Sequence, residues 1–188
     1  HNNSYSGFKI LAGDNIHLDS LNFLNCSSPH TTGIYTSFCN NLYITNSNFS
    51  GNLGSKNIAI GTADTPERYF RIENCVIEKA GPNSDPENEG GSGININGTI
   101  RGQLINVRIT DNIRVPDPNW GGGSQVAMSM GWFAEVDIIN STIGNNKVYG
   151  YQGFGSIVTE GANVNYYNCI MYGDSTNELG LGDHSTPL

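Results

Sequence analysis

Three groups of residues in this 188-residue chain have types and spacings that could do chemistry. The first is the acidic stretch Asp85-Pro-Glu87-Asn-Glu89, whose carboxylates suit Ca2+, a hard cation that prefers oxygen ligands. It has neither the spacing of an EF-hand nor the glycine-rich nonapeptide of a Ca2+-binding β-roll, so a solvated loop is the competing reading. The second is a set of aromatics, Trp120, Tyr149, Tyr151 and Phe154, interspersed with Gly, Pro and Asn. Sugar rings stack their apolar C–H faces on such side chains; the competing reading has these rings folding back over the chain's own flank. The third is Tyr35 and Asn95, each the middle residue of a short alternating segment and so directed outward. No catalytic set emerges. His1, His17, His30 and His184 are scattered, and Cys26, Cys39, Cys75 and Cys169 match no zinc template.

The elements that position these residues follow from a repeat. Six stretches align without gaps on a central pivot: Ile16–Phe23, Leu42–Phe49, Phe70–Ile77, Gly102–Ile109, Val136–Ile143 and Val164–Met171. The pivots are Ser20, Asn46, Asn74, Asn106, Asn140 and Asn168, spaced 26, 28, 32, 34 and 28 residues apart. Apolar residues recur two before the pivot and three after it, as in Ile138 and Ile143 around Asn140. Upstream of each pivot lies a third short alternating segment, beginning at Phe8, Ile34, Ile58, Ile94, Met128 and Ile157, and Leu179 begins one more. A repeat of this length with three strands predicts an all-β parallel coil, about six coils of three short strands with an Asn ladder. Each strand pairs with its equivalent one coil away, so equivalent side chains stack about 4.8 Å apart. The apolar ladder from Phe23 to Met171 is expected to fill the interior. The Asn ladder is expected to be buried beside it, its amides bonding one another up the stack and also satisfying backbone groups where the chain bends. Cys75 and Cys169 hold equivalent places three coils apart, roughly 14 Å, which is beyond disulfide reach. Trp132 and Phe133, in a short turn, are expected to pack against neighbouring turns.

The pattern resembles the right-handed parallel β-helix repeat proteins of the pectate-lyase-like superfold. VDIINSTI (136–143), FRIENCVI (70–77) and the Gly33–Tyr35 segment carry the resemblance, which runs from about Phe8 to Leu181. The closing stretch from Asn168 is similar to the last coils of secreted or surface β-helix proteins of Bacteroidota-like bacteria. Enzymes of this superfold place substrate over the outer face of the first strand. Here that face reads Lys9, Tyr35, Ala59, Asn95, Ser129, Val158 and Gly180, with no carboxylate. Glycoside hydrolysis needs two carboxyl groups, and lyase chemistry needs a base beside a charge neutraliser. The outer faces of the other strands carry His17, Asp19, Arg71, Glu73, Arg108 and Asp137, which read as a solvated surface with weak cross-coil ion pairs.

Bulk properties narrow the classes further. A net charge of −8 argues against nucleic acid as a partner. No apolar run is long enough to span a bilayer. With 37% hydrophobic residues, a thin continuous core suits the composition better than a large globular one. The chain therefore reads as residues 1–188 of a single β-helix domain, a fragment of a longer protein, opening on His1 in mid-pattern. Its expected function is a non-catalytic extracellular or cell-surface module, a rigid scaffold for adhesion, carbohydrate contact or surface assembly. It needs no cofactor, with Ca2+ at the acidic loop as the one candidate. The expected partners are a polysaccharide or cell-surface component, and other copies through the open end coils. One alternative is a polysaccharide lyase or glycoside hydrolase with its active site in the long loops. Another is a structural spacer or filament subunit.

Overall fold

The computed structural model describes residues 7–28, 31–61, 68–82, 91–114, 127–131, 133–148, 157–173 and 179–181. These residues form strands and turns and contain no helix. Coil one holds β1 (Phe8–Ile10), β2 (Gly13–Asp19) and β3 (Asn22–Leu24). Coil two holds β4 (Thr31–Ser37), β5 (Cys39–Thr45) and β6 (Asn48–Ser50). Coil three holds β7 (Lys56–Gly61), β8 (Arg68–Glu73) and β9 (Val76–Glu78). Coil four holds β10 (Ser92–Asn97), β11 (Ile100–Ile105) and β12 (Arg108–Thr110), with a short β13 (Ile113–Arg114). Coil five holds β14 (Met128–Gly131), β15 (Glu135–Ile139) and β16 (Thr142–Gly144), with β17 (Lys147–Val148). Coil six holds β18 (Ile157–Glu160), β19 (Asn163–Tyr167) and β20 (Ile170–Tyr172), and β21 (Leu179–Leu181) follows.

Every strand pairs in parallel with its equivalent in the next coil. The first sheet has seven strands, the second and third have six each, and β13 pairs with β17. The result is a parallel β-solenoid. Inward positions form ladders, such as Ile34, Ile58, Ile94 and Met128 in the first sheet and Phe49, Ile77, Ile109 and Ile143 in the third. All of these are buried. The expected apolar interior is therefore present.

The closed part is shorter than the repeat count. In coils two to five every inward position of the three main strands is buried, which gives about four closed turns rather than six. In coil one Phe8 is 49% exposed, and in coil six Val164, Tyr166 and Met171 are only half-buried. The end coils have a neighbour on one side only, so their inward residues lack the rung that would cover them.

The Asn ladder needs a larger correction. Asn46, Asn74, Asn106, Asn140 and Asn168 are all exposed. Their backbone takes φ values of 50–54°, the left-handed conformation that Asn tolerates. Their amides run up the outside of the stack: Asn74 Nδ2 donates to Asn46 Oδ1 at 3.3 Å, Asn106 to Asn74 at 2.7 Å, and Asn168 to Asn140 at 2.8 Å. Positive φ turns the corner, and a residue at a corner of that hand points its side chain away from the core.

A second Asn ladder is buried, six residues after the pivot. Asn112 accepts the Ala80 N–H at 3.0 Å and donates to the Ile77 carbonyl at 3.3 Å and Asn146 Oδ1 at 2.9 Å. Asn52 accepts the Cys26 N–H and donates to the Phe23 carbonyl, and Asn146 donates to the Ile109 carbonyl. These three residues are at most 1% exposed. They bond the backbone inside the third corner, the role expected of the pivots.

One residue after the pivot, Ser47 and Ser141 accept the N–H of Leu21 and Val107. Cys75 and Cys169 occupy the same rung, and their thiols donate to the Ile44 and Ile138 carbonyls. All four cysteines are free thiols. Burial pushes the Cys75 thiol up to about 11, so it stays protonated as a weak donor.

Candidate functional site

The first sheet's outer face carries the column foreseen from the sequence. The register runs Lys9, Tyr35, Ala59, Asn95, Ser129, Val158. Tyr35 and Asn95 sit two coils apart with Ala59 between them. The Lys9 ammonium lies 6.0 Å from the Tyr35 ring centre, and Asn95 accepts from the Asn97 side chain at 3.0 Å. The two expected ligand contacts share one outward column of the first sheet, two rungs apart. Trp120, Tyr149, Tyr151 and Phe154 lie outside the described residues, as do Asp85, Glu87 and Glu89 of the suggested Ca2+ loop. Among the described residues no cluster of three or more His, Cys, Asp or Glu could hold a metal.

A concave feature among the described residues lies elsewhere, on the second sheet. It is an open groove of about 420 Å3 over β8, β11, β15 and β19. Two outward columns floor it. One runs Tyr69, Arg101, Glu135, Asn163, and the other Gln103, Asp137, Asn165, continuing from Arg71. Parallel pairing fixes this placement, because each coil contributes one residue to each column at about 4.8 Å spacing. Alternation does the rest: the inward partners on the same strands, Phe70, Leu104, Val136 and Ile138, are buried.

The groove offers donors and acceptors in alternation. Tyr69 Oη donates to Gln103 Oε1 at 3.0 Å, and Asn165 Nδ2 donates to Asp137 Oδ1 at 3.1 Å. Burial pushes the Tyr69 hydroxyl up, so it is a donor rather than a base. Arg101 pairs with Glu135 at 2.8 Å, with the two side chains 76% and 50% exposed. So exposed a pair adds little stability, and its charges remain open to a ligand. Arg71 pairs with Glu73 on its own strand at 2.8 Å, and Arg108 reaches Glu78 one coil away at 2.7 Å. These last two fit the solvated-surface reading of the sequence.

Aromatic rings extend the groove toward coil one. His17 stacks on Tyr43 with centroids 4.5 Å apart and planes 9° from parallel, and Tyr43 lies 6.1 Å from Tyr69 at a 56° tilt. The facing surfaces of His17 and Tyr43 are taken up by each other, so this ladder turns ring edges to solvent. A free ring lies at the corner before β15. Phe133 is 72% exposed and its φ is +69°, which overturns the expectation that it packs against neighbouring turns. In register Phe133 stands opposite Thr99 of coil four, whose corner takes its positive φ one residue earlier, on Gly98 at 105°, while coil six takes it on Gly161 at 69°. Glycine adopts that conformation without strain and phenylalanine does not.

The sequence pattern could have located the groove. Aligning on the pivot also aligns the residues three and five before it, and those positions are its two columns. Asp137 and Arg71 were visible as outward residues; Tyr69, Arg101, Gln103, Glu135, Asn163 and Asn165 gain meaning only when six coils are stacked in register. No family model matches the chain, and comparison with curated proteins and solved structures gives no significant match.

Proposed function

We propose that this chain is a non-catalytic β-solenoid module that binds a carbohydrate along the outer face of its second sheet, as part of a secreted or surface-attached protein. The observation that carries this reading is the groove, where amides, a phenol and an open ion pair repeat at rung spacing, with the exposed ring of Phe133 two residues before Glu135 in the chain. Glycans are recognised by such sets: hydroxyls bridge amide and carboxylate groups, and the apolar sugar face covers an aromatic ring. The coil belongs, in this reading, to the right-handed pectate-lyase-like type. Its three short parallel strands support that, as does the right-handed preference of crossovers between parallel strands.

A binding role is favoured over hydrolysis by the openness of the site. A general acid is usually kept protonated by apolar enclosure. Glu135 and Asp137 stand on an open sheet face with Arg101 and Asn165 bonded to them.

Calorimetric titration with a panel of neutral and acidic oligosaccharides tests the proposal. Gln103→Ala and Asn165→Ala should each weaken binding about fivefold to tenfold, the worth of one hydrogen bond of about 1 kcal/mol. Phe133→Gly should weaken binding without lowering the melting temperature. A panel with no binder, or variants that bind as the parent does, would overturn it.

A further inference from the structure

The groove on the second sheet holds a negative charge that no lysine or arginine neutralises. Coils four to six present three outward columns there, and Asp137 stands at their centre, between Gln103 and Asn165 in its own column. Asn165 Nδ2 bonds Asp137 Oδ1 at 3.1 Å, and no other described residue bonds the carboxylate. Arg101 is held by Glu135 and Arg71 by Glu73, so the two nearest guanidiniums along these columns are already paired. All 9 Lys and Arg of the chain lie among the described residues, and none forms an ion pair with Asp137.

The third outward column adds an independent observation. It changes character along the stack, from Asp19, Thr45 and Glu73 in coils one to three to Ile105, Ile139 and Tyr167 in coils four to six. Tyr167 is 51% exposed, and the two isoleucines are half-buried. The change falls on the coils that carry the groove, so its polar floor has an apolar rail along one side. A sugar ring presents the matching pair of surfaces, C–H groups on its face and polar substituents around its edge.

We propose that the groove selects a glycan with free amino groups, and that Asp137 makes the selection. The sugar face lies against the rail of Ile105, Ile139 and Tyr167, and a protonated amine donates to the open oxygen of Asp137. A cation can bind there without breaking an existing pair. An anionic glycan would have to take Arg101 from Glu135 and lie beside two unpaired carboxylates. An acetylated amine keeps a hydrogen bond but loses the charge that strengthens it. This inference rests on the glycan reading of the groove and names the class of glycan.

Glucosamine trimer and its N-acetylated counterpart, equal in length and linkage, are the probes, titrated calorimetrically against the full 188-residue chain. With its amines protonated, the glucosamine trimer should bind about tenfold tighter, the difference between a charge-assisted hydrogen bond and a neutral one. Asp137→Asn keeps an acceptor for Asn165 and removes the charge, so the ratio of the two affinities should fall to near unity. Asp14→Asn removes the same charge from β2 in coil one and should leave the ratio where it is. The parent ratio needs no variant, so a misfolded Asp137→Asn leaves the test intact. A parent chain that binds both trimers alike, or the acetylated one tighter, would overturn this inference and leave the glycan reading standing. Binding of other oligosaccharides but of neither trimer would do the same, whereas a chain that binds no oligosaccharide at all overturns both. A ratio that falls as far in Asp14→Asn as in Asp137→Asn would also sink the inference, because net charge and not the groove would then attract the amine. So would tighter binding of an acetylated trilysine peptide, because the sugar would then not be read.

Discussion

Two asparagine ladders run through this chain, and at the residue scale they do opposite jobs. The pivot ladder was legible because one residue type repeats at one position. Its location was not, because spacing alone does not say which side of a bend a side chain leaves from; the left-handed φ decides that, and sends Asn46 to Asn168 outward. The buried ladder escaped notice for the opposite reason. Its rungs read Cys26, Asn52, Ala80, Asn112, Asn146, so no residue type repeats without interruption. The two ladders should respond differently to the same change. Asn112→Leu leaves the Ala80 N–H and the Ile77 carbonyl buried without partners, and should cost about 2–5 kcal/mol. Asn106→Leu loses an exposed amide bond and the tolerance for its φ of 53°, and should cost about 1–2 kcal/mol. Urea denaturation of both variants checks the difference. Equal costs would mean that the buried amide does not hold the third corner.

At the scale of elements, coil shape is set by left-handed residues at three corners. The second corner uses Asn almost throughout, whereas the third mixes Asn25, Gly51, Lys79, Asp111, Asn145 and Gly173. That mixture hid the third corner in the sequence. The second sheet shows another device that spacing does not reveal. Gly102 faces inward in β11, beneath the ring of Phe70 from β8. A Cβ at Gly102 would stand 2.0 Å from a Phe70 ring carbon. One large ring therefore fills two rungs, and glycine is the residue that admits it. Gly102→Ala should destabilise the chain by about 1–3 kcal/mol through overpacking. Phe70→Leu in the same chain should restore part of that loss, and the double variant should be more stable than the sum of the two single costs. Thermal or urea unfolding of the four proteins closes the cycle. Additive costs would show that ring and glycine do not share the space.

A solenoid has no contacts beyond neighbouring coils to distribute stability, so the whole molecule should be as uneven as its coils. Each strand bonds only to the coil above and the coil below. Coils two to five are covered on both sides and hold the largest fully buried side chains, including Phe49, Phe70, Ile94 and Leu104. The end coils expose Phe8 and Leu24 at one end and Tyr167, Ile170 and Tyr172 at the other. Of these, Phe8 stands opposite the buried Ile34 at an inward position that a further coil would cover, whereas Leu24, Ile170 and Tyr172 lie on outer faces. The repeat count was legible because apolar positions recur in all six coils. The number of closed turns was not, because burial depends on the neighbouring coil and not on the residue itself. Hydrogen exchange should display the gradient. Amides of β2, β3, β19 and β20 should exchange through local opening, well before those of β5, β8 and β11, whose protection should approach the global unfolding free energy. If the chain self-associates through its ends, protection of the terminal strands should rise with protein concentration while that of β8 stays constant. Uniform protection from β2 to β19 at all concentrations would show that the ends are covered and that the solenoid unfolds as one unit.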